Sequence, residues 1–317
     1  MISVIIPIYG VESYIERCAR SVLGQTFDDI EYIFVNDNTQ DNSMLVLNKV
    51  VKEYSHRNIH IINKSKNEGL PQARRTGFLA SHGDYIIHFD SDDWVEPDCI
   101  NDMYKTAMEN DADIVIADYF ENYRNKQKRI KCKQEFQSST IVDMMLRAKF
   151  HSGVWNKLVR RSVYNTVKFP IENMHEDLVI MVQIFSNAYR IGYVDSAFYH
   201  YNLSNSSSLT SDRKSFKRAN GVYTNLRIIE RFFIENNMLG TKIAPFSNFV
   251  NTFKGDMLLN KQTRNIDWLY SLCKDSYYYI FSECRLAFWK KTILWAAFNR
   301  VFFPLKWIDL IKRIYVG

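Results

Sequence analysis

The sequence predicts an α/β fold with a mostly parallel central sheet flanked by helices, and two observations carry that expectation. Apolar runs of strand length alternate with segments of helical periodicity from Ile2 to Ala117. The residues that follow the apolar runs are polar, as expected where a sheet covered on both faces collects its ligands beyond the carboxyl ends of its strands.

Ile2 to Ile8 reads as the first strand. Ser13 and Glu16 have the spacing of a capping box for a helix running to about Gly24. Tyr32 to Val35 is the second strand, and Asp41 is placed to cap a helix that reaches Tyr54. Ile59 to Ile62 forms the third strand; Pro71 stands in the first turn of a helix that ends near Ala80. Tyr85 to Phe89 is the fourth strand, Pro97 to Asn110 a helix, and Ile114 to Ala117 the fifth strand.

The stretch from Tyr119 to Ser139 is polar and basic and reads as a hairpin or loop, a solvated surface rather than a phosphate binder. A helix near Ile141 to Lys149 follows, then Gly153 to Leu158, then His175-Glu176-Asp177 ahead of an apolar-periodic helix, Leu178 to Ala188. Two short strands, Ile191 to Val194 and Phe198 to Tyr201, lead into a Ser/Asn-rich loop, and beyond Asp212 only helical patterns remain. The expected division is therefore a sheet domain over 1–211 and a helical region over 212–317.

The loop Asp90-Ser91-Asp92-Asp93 after the fourth strand is the sharpest chemical feature. Its three carboxylates repel one another unless a cation or a donor-rich ligand sits among them. Oxygen ligands of this kind suit Mg²⁺ or Mn²⁺, which usually also bind substrate phosphates. The other reading is a solvated turn. The rule of strand-end ligands adds Tyr9 and Glu12, Asn36-Asp37-Asn38, and Asn67 with Arg74 to the same edge of the sheet.

Of 317 residues, 46% are hydrophobic and 24% charged, the composition of a folded protein with a sizeable core. A net charge of +6 suits phosphate-bearing substrates or an anionic membrane surface. Nucleic acid is not expected, because the basic residues of the first half are scattered among acids and no recognition module appears. Five cysteines without a C-x-x-C pair argue against a disulfide framework and for a reducing compartment. With no signal peptide pattern and no apolar run of about 18 residues, the expected location is cytoplasmic. From Arg285 to Gly317 seven basic residues face the single acid Asp309, interleaved with aromatics. This tail, 285–317, reads as a peripheral helix on anionic lipid at the cytosolic face of the plasma membrane, or else as a helix packed on its own domain.

Taken together, Ser3-Val4-Ile5-Ile6-Pro7-Ile8-Tyr9, the Asn36-Asp37 turn ending in Asp41 and Ser43, Asn67-x-Gly69-Leu70 with Ala73-Arg74, and Gly83-Asp84-Tyr85 followed by Asp90-Ser91-Asp92-Asp93 resemble a family 2 glycosyltransferase of GT-A fold, of the bacterial surface-polysaccharide type. The resemblance runs to about Thr210 and implies a nucleotide-binding half, 1–118, and an acceptor side, 119–211. It implies an inverting enzyme that uses Mn²⁺ or Mg²⁺ to move a sugar from a nucleotide sugar, UDP-linked by the match at Asp37, to a saccharide or lipid-linked saccharide. Pro7, Tyr9, Glu12, Asp37, Asn67, Arg74, Asp90, Ser91 and Asp93 then hold the nucleotide sugar, and Asp92 with Asp90 holds the metal. Asp177, with Glu176 as the other candidate, takes the acceptor's proton.

His200 is a metal ligand or a hydrogen-bonded strand histidine, and Trp155 stacks on an acceptor sugar or belongs to the core. The chain departs from the family pattern at Gly10, at Asn38-Thr39-Gln40, at Arg75, and at Asn202, where an Arg is often found. That last departure leaves Ser206 to Ser208 as a candidate to close over the pyrophosphate. Two alternatives remain: a nucleotidyltransferase, whose Gly-rich loop is missing after the first strand, and a catalytically silent GT-A-like binding protein at the membrane, which would have broken acids.

Overall fold

In the computed structural model, which describes residues 1–133, 138–205, 215–302 and 305, the chain divides into two compact units. The first comprises 1–139 and 152–208, the second 140–151 and 209–317.

The first unit is built in chain order from β1 (Ile2–Ile8), α1 (Ile15–Leu23), β2 (Ile30–Asn36), α2 (Ser43–Glu53), β3 (Asn58–Asn63), α3 (Leu70–Ala80), β4 (Tyr85–His88), β5 (Trp94–Val95), α4 (Cys99–Glu109), β6 (Ile114–Tyr123) and β7 (Lys126–Ile130). After α5 (Ser138–Leu146), most of which belongs to the second unit, come β8 (Lys157–Arg160), α6 (Glu176–Asn187) and β9 (Ile191–Asn202). The sheet order is β3-β2-β1-β4-β8-β6-β9-β5, with β7 hairpinned onto β6. β1 is buried along its whole length because it lies between β2 and β4 with helices on both faces, whereas β3, at the edge, is only half-covered.

Only half of this sheet is parallel. β1, β2, β3 and β4 run together and β6 runs with β9, but β8 enters antiparallel between β4 and β6, and β5 pairs antiparallel with β9. The sheet is thus mixed, a correction to the mostly parallel expectation: β8 and β5 are too short to announce themselves by periodicity. The pair of strands expected after Ile191 is one strand, β9. Its pairing with β6 slips around Asp118, whose buried carboxylate takes bonds from Arg129, the Cys132 amide and Tyr193.

Two expected caps differ. The capping box at Ser13 does not form, because the Val11 carbonyl accepts from the amides of Tyr14 and Ile15 and closes that turn on the backbone. Glu16 pairs instead with Arg20, at 3.0 Å. Asp41 accepts from the Ser43 amide at 3.1 Å, one residue ahead of the cap position of α2.

The second unit holds α5 from Thr140, α7 (Phe216–Glu235), α8 (Leu239–Leu259), α9 (Ile266–Ser271), a 3₁₀ turn at Lys274–Tyr279 and α10 (Phe288–Phe298), and no strand among the described residues. Its core gathers Leu258, Trp268, Leu269, Ile280, Leu294 and Ala297. All five cysteines are buried and free, and no described helix is long and apolar enough to cross a membrane. Ser206 to Ser208 and most of the tail beyond Phe302 lie outside the described residues.

Candidate active site

The strand ends on the β1–β4 side are stitched together by hydrogen bonds. Asp37, just past β2, is buried. Its Oδ2 accepts from the Gly69 amide at 2.8 Å, and its Oδ1 accepts from the Glu68 amide at 3.1 Å and meets Lys64 Nζ at 2.7 Å. Asn67 Oδ1 also accepts from the Gly69 amide, at 3.1 Å. Gly69 has φ of +89°, and a Cβ there would stand 2.5 Å from Asn173 Oδ1, so the turn into α3 needs glycine for its backbone and for space. The same Asn173 oxygen accepts from the Leu70 amide at 3.0 Å, which ties α3 to the segment ahead of α6.

One turn into α3, Arg74 is 1% exposed. Its guanidinium donates to Asp90 Oδ1 at 2.7 Å and to Glu176 Oε1 at 3.2 Å, so the acidic loop and the first turn of α6 share one cation. Burial pushes the Glu176 carboxyl up to about 7 against the pull of Arg74. Arg74 Nη1, Glu176 Oε2 and both ring nitrogens of buried His88 have no hydrogen-bond partner among the described residues. Burial and the nearby Arg74 charge hold His88 well below the usual imidazole range, hence neutral.

The carboxylates of the acidic loop point to different partners. Burial raises Asp92, and the adjacent Asp90 raises it further; Asn205 Nδ2 donates to its Oδ2 at 2.9 Å. Asp93 is fully buried, takes the Tyr199 hydroxyl on one oxygen and the Asn202 amide on the other at 2.7 Å, and is raised well above the carboxylate range by burial and by its acidic neighbours. It anchors the loop to β9. Ser91 is buried. The Asp92 carbonyl accepts from Asn202 Nδ2 at 3.3 Å and Arg17 Nη2 at 3.4 Å.

At the start of α6, Asp177 lies in the first turn, not at the cap, which is the left-handed His175. Its Oδ1 accepts from the Leu178 amide at 2.8 Å and its Oδ2 from Ser152 Oγ at 3.2 Å. Pro7 is buried in β1 and Tyr9 exposed beyond it.

Three of the expected site residues have partners within the protein. Both oxygens of Glu12 accept from Asn42, from its amide and its side chain, at 3.0 Å, so this carboxylate fastens the start of α2. His200 sits 2.7 Å from Glu96 through Nε2, with its ring stacked between Trp94 and Phe120, the hydrogen-bonded strand histidine of the two alternatives. Trp155 is buried and stacks on Tyr199 at 4.3 Å, a core residue.

Lys157 escaped the sequence reading. It is buried, its Nζ donates to the Gly153 carbonyl at 2.6 Å and to Asn156 at 2.7 Å, and burial lowers it to about 8 despite the Asp177 charge. Nothing in its local pattern marks it, because a strand lysine is normally solvated. Asn173 and Asn205 were equally unmarked.

Among the described residues no three His, Cys, Asp or Glu side chains are arranged to hold a metal. Asp90 and Asp92 form a two-carboxylate set, which fits an ion completed by substrate phosphate oxygens.

Residues 3–173 match the family model of glycosyl transferase family 2. Over 273 residues the chain is 29% identical to EpsH of Bacillus subtilis, covering 82% of this chain and 77% of EpsH. Among solved structures, S. aureus TarS 1-349 in complex with UDP-GlcNAc superposes with a TM-score of 0.74 at 18% identity, over 98% of this chain and 91% of that one. The mannosyltransferase PcManGT of Pyrobaculum calidifontis, in complex with GDP-Man and Mn²⁺, gives 0.55 at 12% identity over 96% and 87%. The chain belongs to glycosyl transferase family 2 and is a glycosyltransferase of GT-A fold with a helical C-terminal region.

Proposed function

We propose that the chain moves a sugar from a UDP-sugar to a hydroxyl of a saccharide or lipid-linked saccharide, with inversion at the anomeric carbon, in surface polysaccharide synthesis at the cytosolic face of the plasma membrane. The observation that supports this most is the bonded path from Asp37 through Gly69 and α3 to Arg74, Asp90 and Glu176. It runs through the strand-end residues needed for a nucleoside, a diphosphate and an acceptor. The UDP-GlcNAc bound to TarS supports a uridine donor, and the Mn²⁺ in PcManGT supports a divalent cation.

In this reading Pro7 and Tyr9 line the nucleoside, and Asp37 accepts from the uracil ring with the one lone pair, on Oδ2, that Lys64 and the 68–69 amides leave free. Arg74, enclosed as it is, serves by holding Asp90 and does not itself reach the phosphates. Asp90 and Asp92 would hold Mg²⁺ or Mn²⁺. The fit rests on their own repulsion: burial and Asp90 raise Asp92, and a cation between them reverses that cost. Once bound, such an ion stabilises the negative charge that gathers on the departing diphosphate.

Asp177 accepts the proton of the acceptor hydroxyl as that oxygen bonds to the anomeric carbon from the face opposite the diphosphate. The bond to the diphosphate breaks, and its electron pair leaves on the phosphate oxygen. Glu176, tied to Arg74, is the weaker candidate for base. Thermal stabilisation by a panel of UDP-, GDP- and CMP-sugars with Mn²⁺ or Mg²⁺ tests the donor, since only ligands that prefer the folded state raise Tm. A larger shift with GDP- or CMP-sugars than with every UDP-sugar removes the uridine assignment.

A further inference from the structure

The second unit leaves a group of large apolar side chains uncovered in one stretch. Tyr278 is 77% exposed, Phe288 73% and Trp289 54%, and Phe281 and Trp295 are also exposed. Phe281 lies in the turn after the 3₁₀ segment and Phe288 opens α10, and their rings lie 6.1 Å apart. On α10, Leu294 and Ala297 turn inward to the core, and Phe288, Thr292, Trp295 and the capping Asn299 are exposed, at the i, i+4, i+7 and i+11 positions of one helical stripe. A soluble monomer rarely leaves so many aromatic side chains uncovered.

The charges around the aromatics decide what covers them. Lys291 Nζ donates to the Phe281 carbonyl at 3.2 Å, Lys290 stands 5.8 Å from the Trp289 ring, and Arg285 and Arg300 are exposed at the two ends of the stretch. Of the neighbouring acids, Asp256 is paired with Lys290 and Glu283 with Arg147, while Asp275 is exposed beside Tyr278; Lys291, Arg285 and Arg300 carry the excess of positive charge. Excess positive charge beside Trp, Tyr and Phe suits the boundary of an anionic bilayer, where the rings sit at headgroup depth and the lysine stems keep their ammonium groups in water. Eleven residues of α10 span only about 16 Å, too short to cross a bilayer and suited to lying flat on it.

We propose that the face running from Tyr278 to Trp295 is a docking surface for an anionic lipid bilayer. It deepens the membrane location in the proposed function, on which it rests, and is independent of the sugar-transfer chemistry.

Flotation of the full chain with phosphatidylglycerol-containing vesicles and with pure phosphatidylcholine vesicles, without substrate, tests it. The wild type is expected to float with the anionic vesicles. Phe288→Ser with Trp289→Ser should stay at the bottom, and Lys290→Gln with Lys291→Gln should bind about tenfold or more weakly. Unchanged Tm and unchanged far-ultraviolet circular dichroism in each variant show that folding is intact. Equal flotation with neutral vesicles overturns the charge argument, and flotation of the serine variant overturns the surface. A wild-type dimer in light scattering that the serine variant loses, with no vesicle binding, assigns the face to a second copy and overturns the proposal as well. Sugar transfer that fails while flotation follows this pattern leaves the surface standing and counts only against the catalytic reading.

Discussion

Arg74 and Glu176 form a buried ion pair, Nε to Oε1 at 3.2 Å, and the same guanidinium reaches Asp90 at 2.7 Å. A residue on α3 thereby sets the position of an acid after β4 relative to the start of α6. One buried cation facing two acids is satisfied only as a set. Removing it strands both partners, whereas neutralising one acid in place preserves most of the geometry.

Arg74→Met is therefore expected to destabilise the protein by about 3–5 kcal/mol in urea unfolding. Arg74→Lys should recover part of the stability but not the metal affinity, because a single ammonium cannot fork to two carboxylates. A lysine variant with wild-type Mn²⁺ affinity would mean that Asp90 is positioned by something else.

Glu176→Gln and Asp177→Asn separate the two candidate bases. With the base at Asp177, the asparagine variant keeps donor binding and loses transfer by about a hundredfold to ten-thousandfold in kcat. The glutamine variant, which conserves the shape beside Arg74, should lose about tenfold or less. The opposite ranking moves the base to Glu176.

Asp92→Asn pits function against stability. Metal-dependent donor hydrolysis should fall by about a hundredfold or more, while the ligand-free protein should melt at the same or a higher temperature, because burial and Asp90 already oppose this charge. An unchanged hydrolysis rate removes Asp92 from the metal set.

Gly69→Ala must force a side chain into a +89° backbone and onto Asn173. A cost of about 1–3 kcal/mol is expected, with weaker UDP binding in calorimetry because Asp37 is held by the Gly69 amide. Asn173→Ala in the same background should relieve the clash but not the backbone strain, so only part of the loss returns.

In the second unit, Lys254 is fully buried, with Nζ 3.1 Å from Ser276 Oγ, and burial lowers it to about 7. The unfolded chain holds this proton up to the ordinary lysine range, so between about pH 7 and 10 the unfolded state binds more protons and stability rises with pH. Lys254→Met should raise Tm at neutral pH by about 5 °C, with a gain that shrinks as the pH approaches 10. A gain independent of pH would mean that the folded lysine keeps its ordinary pKa and stays charged, as it is in the unfolded chain.

Much of the fold was legible because β1, β2, β3 and β4 are apolar runs between helices, and their ends are where the polar motifs stand. The acidic loop, the turn at Asp37 and the start of α6 could be named from the chain for the same reason. Less was legible where a residue's role depends on a partner far away. Glu12 belongs to Asn42, His200 to Glu96, and Trp155 to Tyr199, and none of these pairings leaves a local trace.

What the sequence by itself determined is the alternation of strands and helices, the family, and the residue types after each strand, since periodicity and motif spacing are local properties. Only the tertiary structure decided that the sheet is mixed, that Arg74 is enclosed between Asp90 and Glu176, and that Asp93 faces β9 while Asp92 does not. The physical reason is burial: whether a charge is solvated, paired or stranded depends on what the folded chain packs around it, and neighbours in sequence carry no record of that.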